Sequence, residues 1–176
     1  MIFQETPLKG AFVIEPERLE DDRGFFARSS CLREFEIRGL EHNWVQCSIS
    51  FNINKGTLRG MHYQLPPHSE VKLVRCTMGA ILDVIIDLRP RSETYKHWFS
   101  IELSAENRRL LYIPKEFAHG FLTMCDGAEV FYQISEFYVA DSTDGIRWDD
   151  AAFSIRWPEK PRHLSVKDQQ YLPFRR

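Results

Sequence analysis

Short apolar runs separated by turn residues cover most of the chain, and this pattern predicts strands rather than helices. Apolar and polar positions alternate in residues 44–51, as in a strand whose polar face carries Gln46 and Ser48. Residues 79–87 form the most continuous apolar run. Only residues 31–38 have the spacing of a short amphipathic helix. Further strands are predicted at residues 10–15, 24–29, 57–64, 71–76, 97–103 and 129–134.

Many short strands with one minor helix indicate an all-β sandwich or barrel. The 176 residues are enough for one domain with its own core, so a single domain spanning residues 1–176 is expected. There is no internal repeat. The tail from Trp148 onward is expected to be irregular covering structure.

Charged and titratable side chains interrupt two of the predicted strands. His62 lies within residues 57–64 with Arg59 upstream, and Lys72 shares a strand face with Val74. Groups of this kind are costly to bury unless they have a partner or a function. An imidazole and an ammonium on adjacent strands suggest proton chemistry beside a developing negative charge.

Composition narrows the class of partner. The formal net charge is −2 and the basic residues are dispersed, which argues against nucleic acid or a membrane surface. The first residues lack the basic start and apolar run of a signal peptide, and no stretch of about 18 apolar residues could span a membrane. The scattered cysteines form no CxxC pair, so a cytoplasmic location is expected.

Several kinds of catalytic site lack their sequence signatures. Metal-binding β-barrels often use His-x-His, but Gln64 stands two positions after His62, and HxH and HExxH are absent from the chain. A nucleophile elbow and glycine-rich phosphate loops are absent too. No metal site is predicted.

Two arginines stand beside aromatic residues, Arg23 near Phe25 and Arg59 near Tyr63. Such pairs suit a diphosphate and a stacked base. The alternative for each arginine is an ordinary surface salt bridge.

Two carboxylates are candidates to orient His62 through its ring N–H. Asp83 interrupts an apolar run and needs a hydrogen-bond donor if it is buried. Asp168 lies in a polar segment whose alternative interpretation is a surface turn. A carboxylate partner makes an imidazole a competent base, and the sequence leaves both candidates open.

Taken together, the motifs of the chain resemble those of the dTDP-4-dehydrorhamnose 3,5-epimerase family. The resemblance runs from about residue 10 to residue 170. The matching segments are residues 23–26, 45–46, 55–64, 72–75, 79–84, 87–89, 113–114, 117–121, Tyr132 and 165–168.

The resemblance implies a cupin-type double-stranded β-helix (jelly roll) with a few short flanking helices, no metal and no cofactor. It also implies an isomerase that inverts C3, C5 or both in a nucleotide-linked 4-keto-hexose through an enolate. His62 is implied as the base and Asp168 as its partner. Tyr132 is implied as the acid on the opposite face, and Lys72 as the group that stabilises the enolate oxygen.

The resemblance further implies a homodimer with a nucleotide site shared between subunits, in a pathway for cell-surface polysaccharide. Arg23 and Phe25 would come from the neighbouring subunit. The residues implied to contact substrate are Arg23, Phe25, Arg28, Gln46, Ser48, Arg59, His119 and Tyr138.

Two positions depart from the family pattern. Arg28 stands where members that act on the thymidine nucleotide often carry Glu, and Ser48 stands where many carry Asn. Both changes affect substrate recognition. The alternatives are therefore a C3- or C5-only epimerase, or a keto-isomerase, acting on a GDP- or CDP-linked sugar. An alternative of another class is a non-catalytic or metal-dependent sugar-binding cupin.

Overall fold

A computed structural model describes residues 1–174 as two antiparallel sheets, a separate hairpin and two short helices. The strands are β1 (Ile2–Glu5), β2 (Phe12–Glu15), β3 (Leu19–Asp21), β4 (Gly24–Phe26), β5 (Gln46–Asn52), β6 (Leu58–Gln64), β7 (Lys72–Met78), β8 (Ala80–Asp87), β9 (Trp98–Ser104), β10 (Leu110–Ile113), β11 (Phe117–Thr123), β12 (Ala128–Ile134) and β13 (Thr143–Gly145). The two helices are α1 (Leu32–Glu36) and α2 (Val166–Gln170), and a single 3₁₀ turn spans Ala140–Ser142.

Strand order identifies the topology. One sheet runs β1-β2-β10-β7-β12-β5, and the other runs β13-β6-β11-β8-β9. Within them, β10-β7-β12-β5 and β6-β11-β8-β9 together have the strand order of a jelly roll. The prediction of an all-β sandwich or barrel is confirmed.

The main core lies between the two sheets, and its polarity changes along the strands. Cys76 and Val74 on β7 are fully buried there, as is Val130 on β12. Further along the same faces stand Lys72 on β7 and Tyr132 on β12, which line open space instead. Because alternate residues of a strand share a face, the apolar core and the polar cavity are consecutive parts of one interior.

The alternation predicted for residues 44–51 is present, and its apolar face points outward. Ile49 is 65% exposed and Phe51 is 51% exposed, whereas Gln46 and Ser48 line the interior cavity. β5 is the edge strand of its sheet. The β3–β4 hairpin also exposes apolar side chains, with Leu19 and Phe26 mostly in solvent.

The tail contains a helix, so the expectation of irregular covering structure after Trp148 is wrong for residues 166–170. Ser165 caps α2, because its hydroxyl accepts a hydrogen bond from the Asp168 backbone N–H at 3.0 Å. A helix of five residues is too short to show a periodic pattern. The predicted α1 is present, with Phe35 buried. No helix within residues 1–174 has the length and apolar character that crossing a bilayer requires.

Candidate active site

A cavity of about 380 Å³ opens between the two sheets at their polar end. An adjoining hollow of about 300 Å³ shares Arg59, His62 and Lys72 with it, so the two form one site. The remaining cavity residues include Gln46, Gln64, Glu70, Glu136, Tyr138, Thr143 and Asp168. The adjoining hollow adds Ser48, Ser50, His119, Phe121 and Tyr132.

Two glycines explain why histidines from β6 and β11 lie side by side at this site. His62 and His119 are Cα partners in the β6–β11 register. Gly60 has a φ of +141°, and a Cβ added there would lie 2.5 Å from the Cα of Gly120. The strands therefore approach more closely than any other residue at Gly60 would permit. This accounts for glycines in both histidine-containing motifs.

His62 forms a close pair with Asp168. Its Nε2 lies 2.6 Å from Asp168 Oδ1, and the side chains are 38% and 5% exposed respectively. Burial alone would raise the pKa of Asp168, but the hydrogen bond and the charge of His62 bring it below its ordinary value. An ionised carboxylate on Nε2 favours a proton there and leaves the lone pair on Nδ1. The pair has the arrangement of a general base and its orienting acid.

Asp83 belongs to a second pair with His119. His119 Nε2 lies 2.9 Å from Asp83 Oδ2 and 3.1 Å from Oδ1. Burial raises the pKa of Asp83, and the nearby His119 and Lys72 only partly offset that effect. Of the two carboxylates that the sequence left open as partners of His62, the geometry selects Asp168.

Lys72 projects into the same cavity and has an acidic neighbour. Its Nζ lies 2.8 Å from Glu70 Oε1 and 3.4 Å from the backbone oxygen of His62. Sequence interpretation missed Glu70, which lies two residues before the start of β7 at Lys72. The Lys72 charge is thus partly compensated before any ligand binds.

Tyr132 stands on the sheet that faces His62. Burial raises the pKa of its hydroxyl far above the ordinary value, and the negative charge of Asp83 adds to this effect. Its ring centroid is 6.1 Å from that of His119. The Tyr132 hydroxyl is therefore protonated at neutral pH.

Four more predicted contacts line the site: Arg59, Gln46, Tyr138 and Ser48. Arg59 Nε donates to Asn52 Oδ1 at 2.7 Å, and Gln46 Oε1 accepts from the backbone N–H of Tyr138 at 2.6 Å. Ser48 lines the hollow beside Tyr132. Asn52 was not singled out from the sequence, where it is one polar residue at the end of a strand.

Three predicted substrate contacts do not reach the cavity within this chain. Arg23 is exposed on the β3–β4 hairpin and pairs with Asp21 at 2.6 Å. Phe25 on the same hairpin packs under arginine side chains instead of lining the cavity. Arg28 lines a different hollow together with Glu17 and other residues near the amino terminus.

Within residues 1–174, no group of three or more His, Cys, Asp or Glu side chains is arranged to hold a metal ion. The two histidines of the site are each committed to a single carboxylate.

Comparison with known proteins gives consistent matches over nearly the whole chain. The family model for dTDP-4-dehydrorhamnose 3,5-epimerase matches residues 5–176. The dTDP-4-dehydrorhamnose 3,5-epimerase of Shigella flexneri is 42% identical over 165 residues, which is 93% of this chain and 91% of that protein. The crystal structure of dTDP-4-dehydrorhamnose 3,5-epimerase from Bacillus anthracis, with TDP and PPi bound, has a TM-score of 0.94 at 40% identity and covers 98% of this chain and 99% of that one. The dTDP-6-deoxy-D-glucose-3,5-epimerase of Legionella pneumophila, in complex with dTDP-4-keto-L-rhamnose, has a TM-score of 0.89 at 35% identity and covers 97% of this chain and 90% of that one. These likenesses confirm the predicted cupin-type jelly roll.

Proposed function

This chain belongs to the dTDP-4-dehydrorhamnose 3,5-epimerase family, and we propose that it inverts C3 and C5 of a dTDP-linked 4-keto-6-deoxyhexose. The observation that carries the proposal is the pairing of His62 with Asp168 in a cavity that Tyr132 enters from the facing sheet. The ligands of similar structures, TDP in one and dTDP-4-keto-L-rhamnose in another, support the choice of nucleotide and sugar.

Proton removal begins the reaction. The hydrogens on C3 and C5 are acidic because the C4 ketone takes up negative charge as an enolate. His62 removes the proton through its unprotonated ring nitrogen, while Asp168 holds the ring and stabilises the imidazolium that forms. A positioned base of this kind contributes about 10²–10⁴-fold to the rate.

Lys72 stabilises the enolate. Its ammonium enters the cavity beside His62 and donates to the C4 oxygen as charge develops there. A preorganised donor in a site that excludes water acts more strongly than the same group in bulk solvent.

Tyr132 completes the inversion. Inversion requires that the new proton arrive on the face opposite the base, and Tyr132 is carried by β12 in the sheet that faces β6. Its raised pKa keeps the hydroxyl protonated until the enolate accepts the proton.

The nucleotide lies along the polar wall of the cavity in this proposal. Arg59 binds the diphosphate, and Gln46, Tyr138 and His119 contact the remainder of the substrate. Ser48 contacts the sugar or base from β5. Arg28 has no such role within one subunit.

A homodimer supplies the missing part of the nucleotide site. Apolar side chains on β5 and on the β3–β4 hairpin are exposed, Ile49 and Phe26 among them, and a second copy would cover them. Arg23 and Phe25 on that hairpin would then reach the cavity of the partner. Cytoplasmic location and a role in cell-surface polysaccharide stay predictions of the sequence.

Deuterium incorporation tests the proposal. Incubation with dTDP-4-keto-6-deoxyglucose in D₂O should place deuterium at C3 and C5 and yield the doubly inverted sugar. Proton NMR measures both the deuterium content and the product. Exchange at one carbon alone would show that the protein is a monoepimerase for that carbon. Exchange at neither carbon would exclude the thymidine substrate and direct the assay to GDP- and CDP-linked ketoses.

A further inference from the structure

Arg59 is held in the cavity by an uncharged residue, Asn52. We propose that Asn52 is a positioning residue that fixes Arg59 through a neutral hydrogen bond and so reserves the Arg59 charge for the substrate diphosphate. This inference rests on the proposed function, because it concerns the same site, and it adds a residue that neither the motifs nor the proposed mechanism includes.

The orientation of the Asn52 amide is fixed from behind. Asn52 is the last residue of β5 and is 2% exposed. Its Nδ2 donates to the backbone oxygens of Ser50 and Ala128, each at 3.2 Å. Both amide hydrogens are therefore occupied, and Oδ1 must face the Arg59 Nε at 2.7 Å. The acceptor is held rigidly by the strand and by its neighbour β12.

This contact uses the Nε of Arg59, and Arg59 lines both the cavity and the adjoining hollow. Within residues 1–174, the bond to Asn52 is the one hydrogen bond that the Arg59 side chain makes, and it forms no ion pair with a carboxylate. A planar guanidinium held through Nε presents its remaining donors in a fork that matches two phosphate oxygens. A ligand diphosphate thus meets a preorganised cation.

Several other cationic side chains of the protein, unlike Arg59, are paired with carboxylates. Lys72, on the opposite side of the same cavity, is paired with the Glu70 carboxylate at 2.8 Å. Several arginines are held by acids in the same way: Arg23 by Asp21, Arg89 by Asp87, Arg109 by Glu15, Arg147 by Asp149 and Arg162 by Glu159. An acid at position 52 would hold Arg59 equally well but would compensate its charge. A neutral acceptor gives the position without that compensation, so Arg59 stays available for an anion.

The test measures binding of inorganic pyrophosphate and of dTDP by calorimetry to the full chain. Asn52→Ala should weaken both about fivefold to tenfold, because Arg59 keeps its charge but loses its fixed position. Arg59→Ala should weaken both about 100-fold, since a charged contact is removed. In the Arg59→Ala background, Asn52→Ala should change binding less than twofold, because Asn52 acts through Arg59. In turnover assays, Asn52→Ala should raise KM more than it lowers kcat.

Two further variants separate positioning from general damage. Asn107→Ala removes an asparagine that also bridges backbone groups, with Nδ2 bound to Glu102 O at 3.0 Å, but in a turn away from the cavity. It should bind pyrophosphate like the wild type. Asn52→Asp offers Nε an acceptor and adds a compensating charge, so it should bind pyrophosphate as weakly as Asn52→Ala or more weakly. If Asn52→Ala does not fold, Asn52→Ser takes its place, since the shorter side chain keeps a polar atom but cannot reach Arg59.

The outcomes distinguish this inference from the proposed function. Wild-type affinity in Asn52→Ala or in Asn52→Asp, or additive losses with Arg59→Ala, would overturn the role of Asn52 and leave the epimerase proposal intact. Binding of pyrophosphate but not dTDP by the wild type would contradict the thymidine nucleotide, while the pyrophosphate series would still decide the role of Asn52. A wild-type protein that binds neither anion would overturn both.

Discussion

Two histidine–carboxylate pairs stand side by side in this molecule, and they differ mainly in what surrounds them. His62 is 38% exposed beside Asp168, whereas His119 and Asp83 are 5% and 0% exposed. The two histidines are partners in adjacent strands, so their backbones are equivalent in position. The same residue types at nearly the same place are thus given different access to solvent and ligand.

The origin of each carboxylate explains the difference. Asp83 comes from β8, a central strand covered on both faces, so its pair is part of the interior. Asp168 comes from α2, a five-residue helix near the end of the chain, and reaches His62 from outside the sheet. A base must accept a proton from a ligand and release it again, which the accessible pair permits. The buried pair is suited to holding a ring in place beside Tyr132.

Removing each imidazole tests the comparison most severely. His62→Ala should lower kcat by about 10³-fold, because the base is lost. His119→Ala should act mainly on folding and substrate affinity, since it leaves Asp83 buried without its donor. Deuterium incorporation measures the loss of catalysis in both variants, and thermal unfolding measures the loss of stability. Full exchange in His62→Ala would remove His62 as the base.

Tyr132→Phe should separate proton removal from inversion. His62 would still remove a proton and return deuterium to its own face, while delivery to the other face loses its donor. The inverted product should form about 10²-fold more slowly, with exchange into the unreacted sugar retained. Proton NMR in D₂O distinguishes these species, and equal loss of exchange and inversion would argue against the assignment.

Replacing the two carboxylates should have smaller effects on kcat than replacing His62. Asp168→Asn should lower kcat about 10²-fold at unchanged fold, because the amide no longer stabilises the imidazolium. Asp83→Asn should have a smaller effect on kcat. Steady-state kinetics would give the kcat of both variants, with circular dichroism as a folding control. A larger loss of kcat in Asp83→Asn than in Asp168→Asn would show that catalysis had been assigned to the wrong pair.

The two acids should also give opposite pH dependences of stability. The pKa of Asp168 is lowered in the folded protein, so its contribution is present above the unfolded value of about 3.9 and is lost as pH falls through the folded value. The pKa of Asp83 is raised, so its contribution is present below the unfolded value and is lost as pH rises through the folded value. Urea unfolding of Asp168→Asn from about pH 5 down to about pH 2 should show a flatter acid decline than the wild type. An identical decline would mean that this pair does not contribute.

The smallest expected effect concerns the cap of α2. Ser165→Ala removes the acceptor of the Asp168 N–H and should cost about 1 kcal/mol of unfolding free energy. Because α2 carries Asp168, kcat should fall modestly as well. Ser154→Ala, which removes a hydroxyl bonded to the Ala151 oxygen on the surface, serves as the control. Denaturant unfolding measures the stability of both variants. If Ser165→Ala were as stable as Ser154→Ala, the cap would not support the His62–Asp168 pair.

Much of the fold could be predicted because strand patterns are local. The alternation in residues 44–51 and the apolar run of residues 79–87 each appear as strands, β5 and β8. α2 could not be predicted in this way, because five residues are too few to show a helical period. The feature that marks its start is the hydrogen bond of the Ser165 cap, which is visible only in the structure. Which face of β5 turns outward was equally open, because alternation defines two faces without saying which is covered.

The site divides in the same manner. The sequence by itself determined that His62, Lys72 and Arg59 sit inside strand patterns where such groups need a function, and its motifs identified the family. The residue pattern left Asp83 and Asp168 open as partners of His62, and the family motifs implied Asp168. The tertiary structure shows that pairing directly, and it alone shows that Arg59 is held by Asn52 rather than by an acid. The physical reason is separation along the chain: His62 and Asp168 are 106 residues apart. Local patterns report what each residue can do, while a hydrogen bond at 2.6 Å depends on how the two sheets and the last helix pack together.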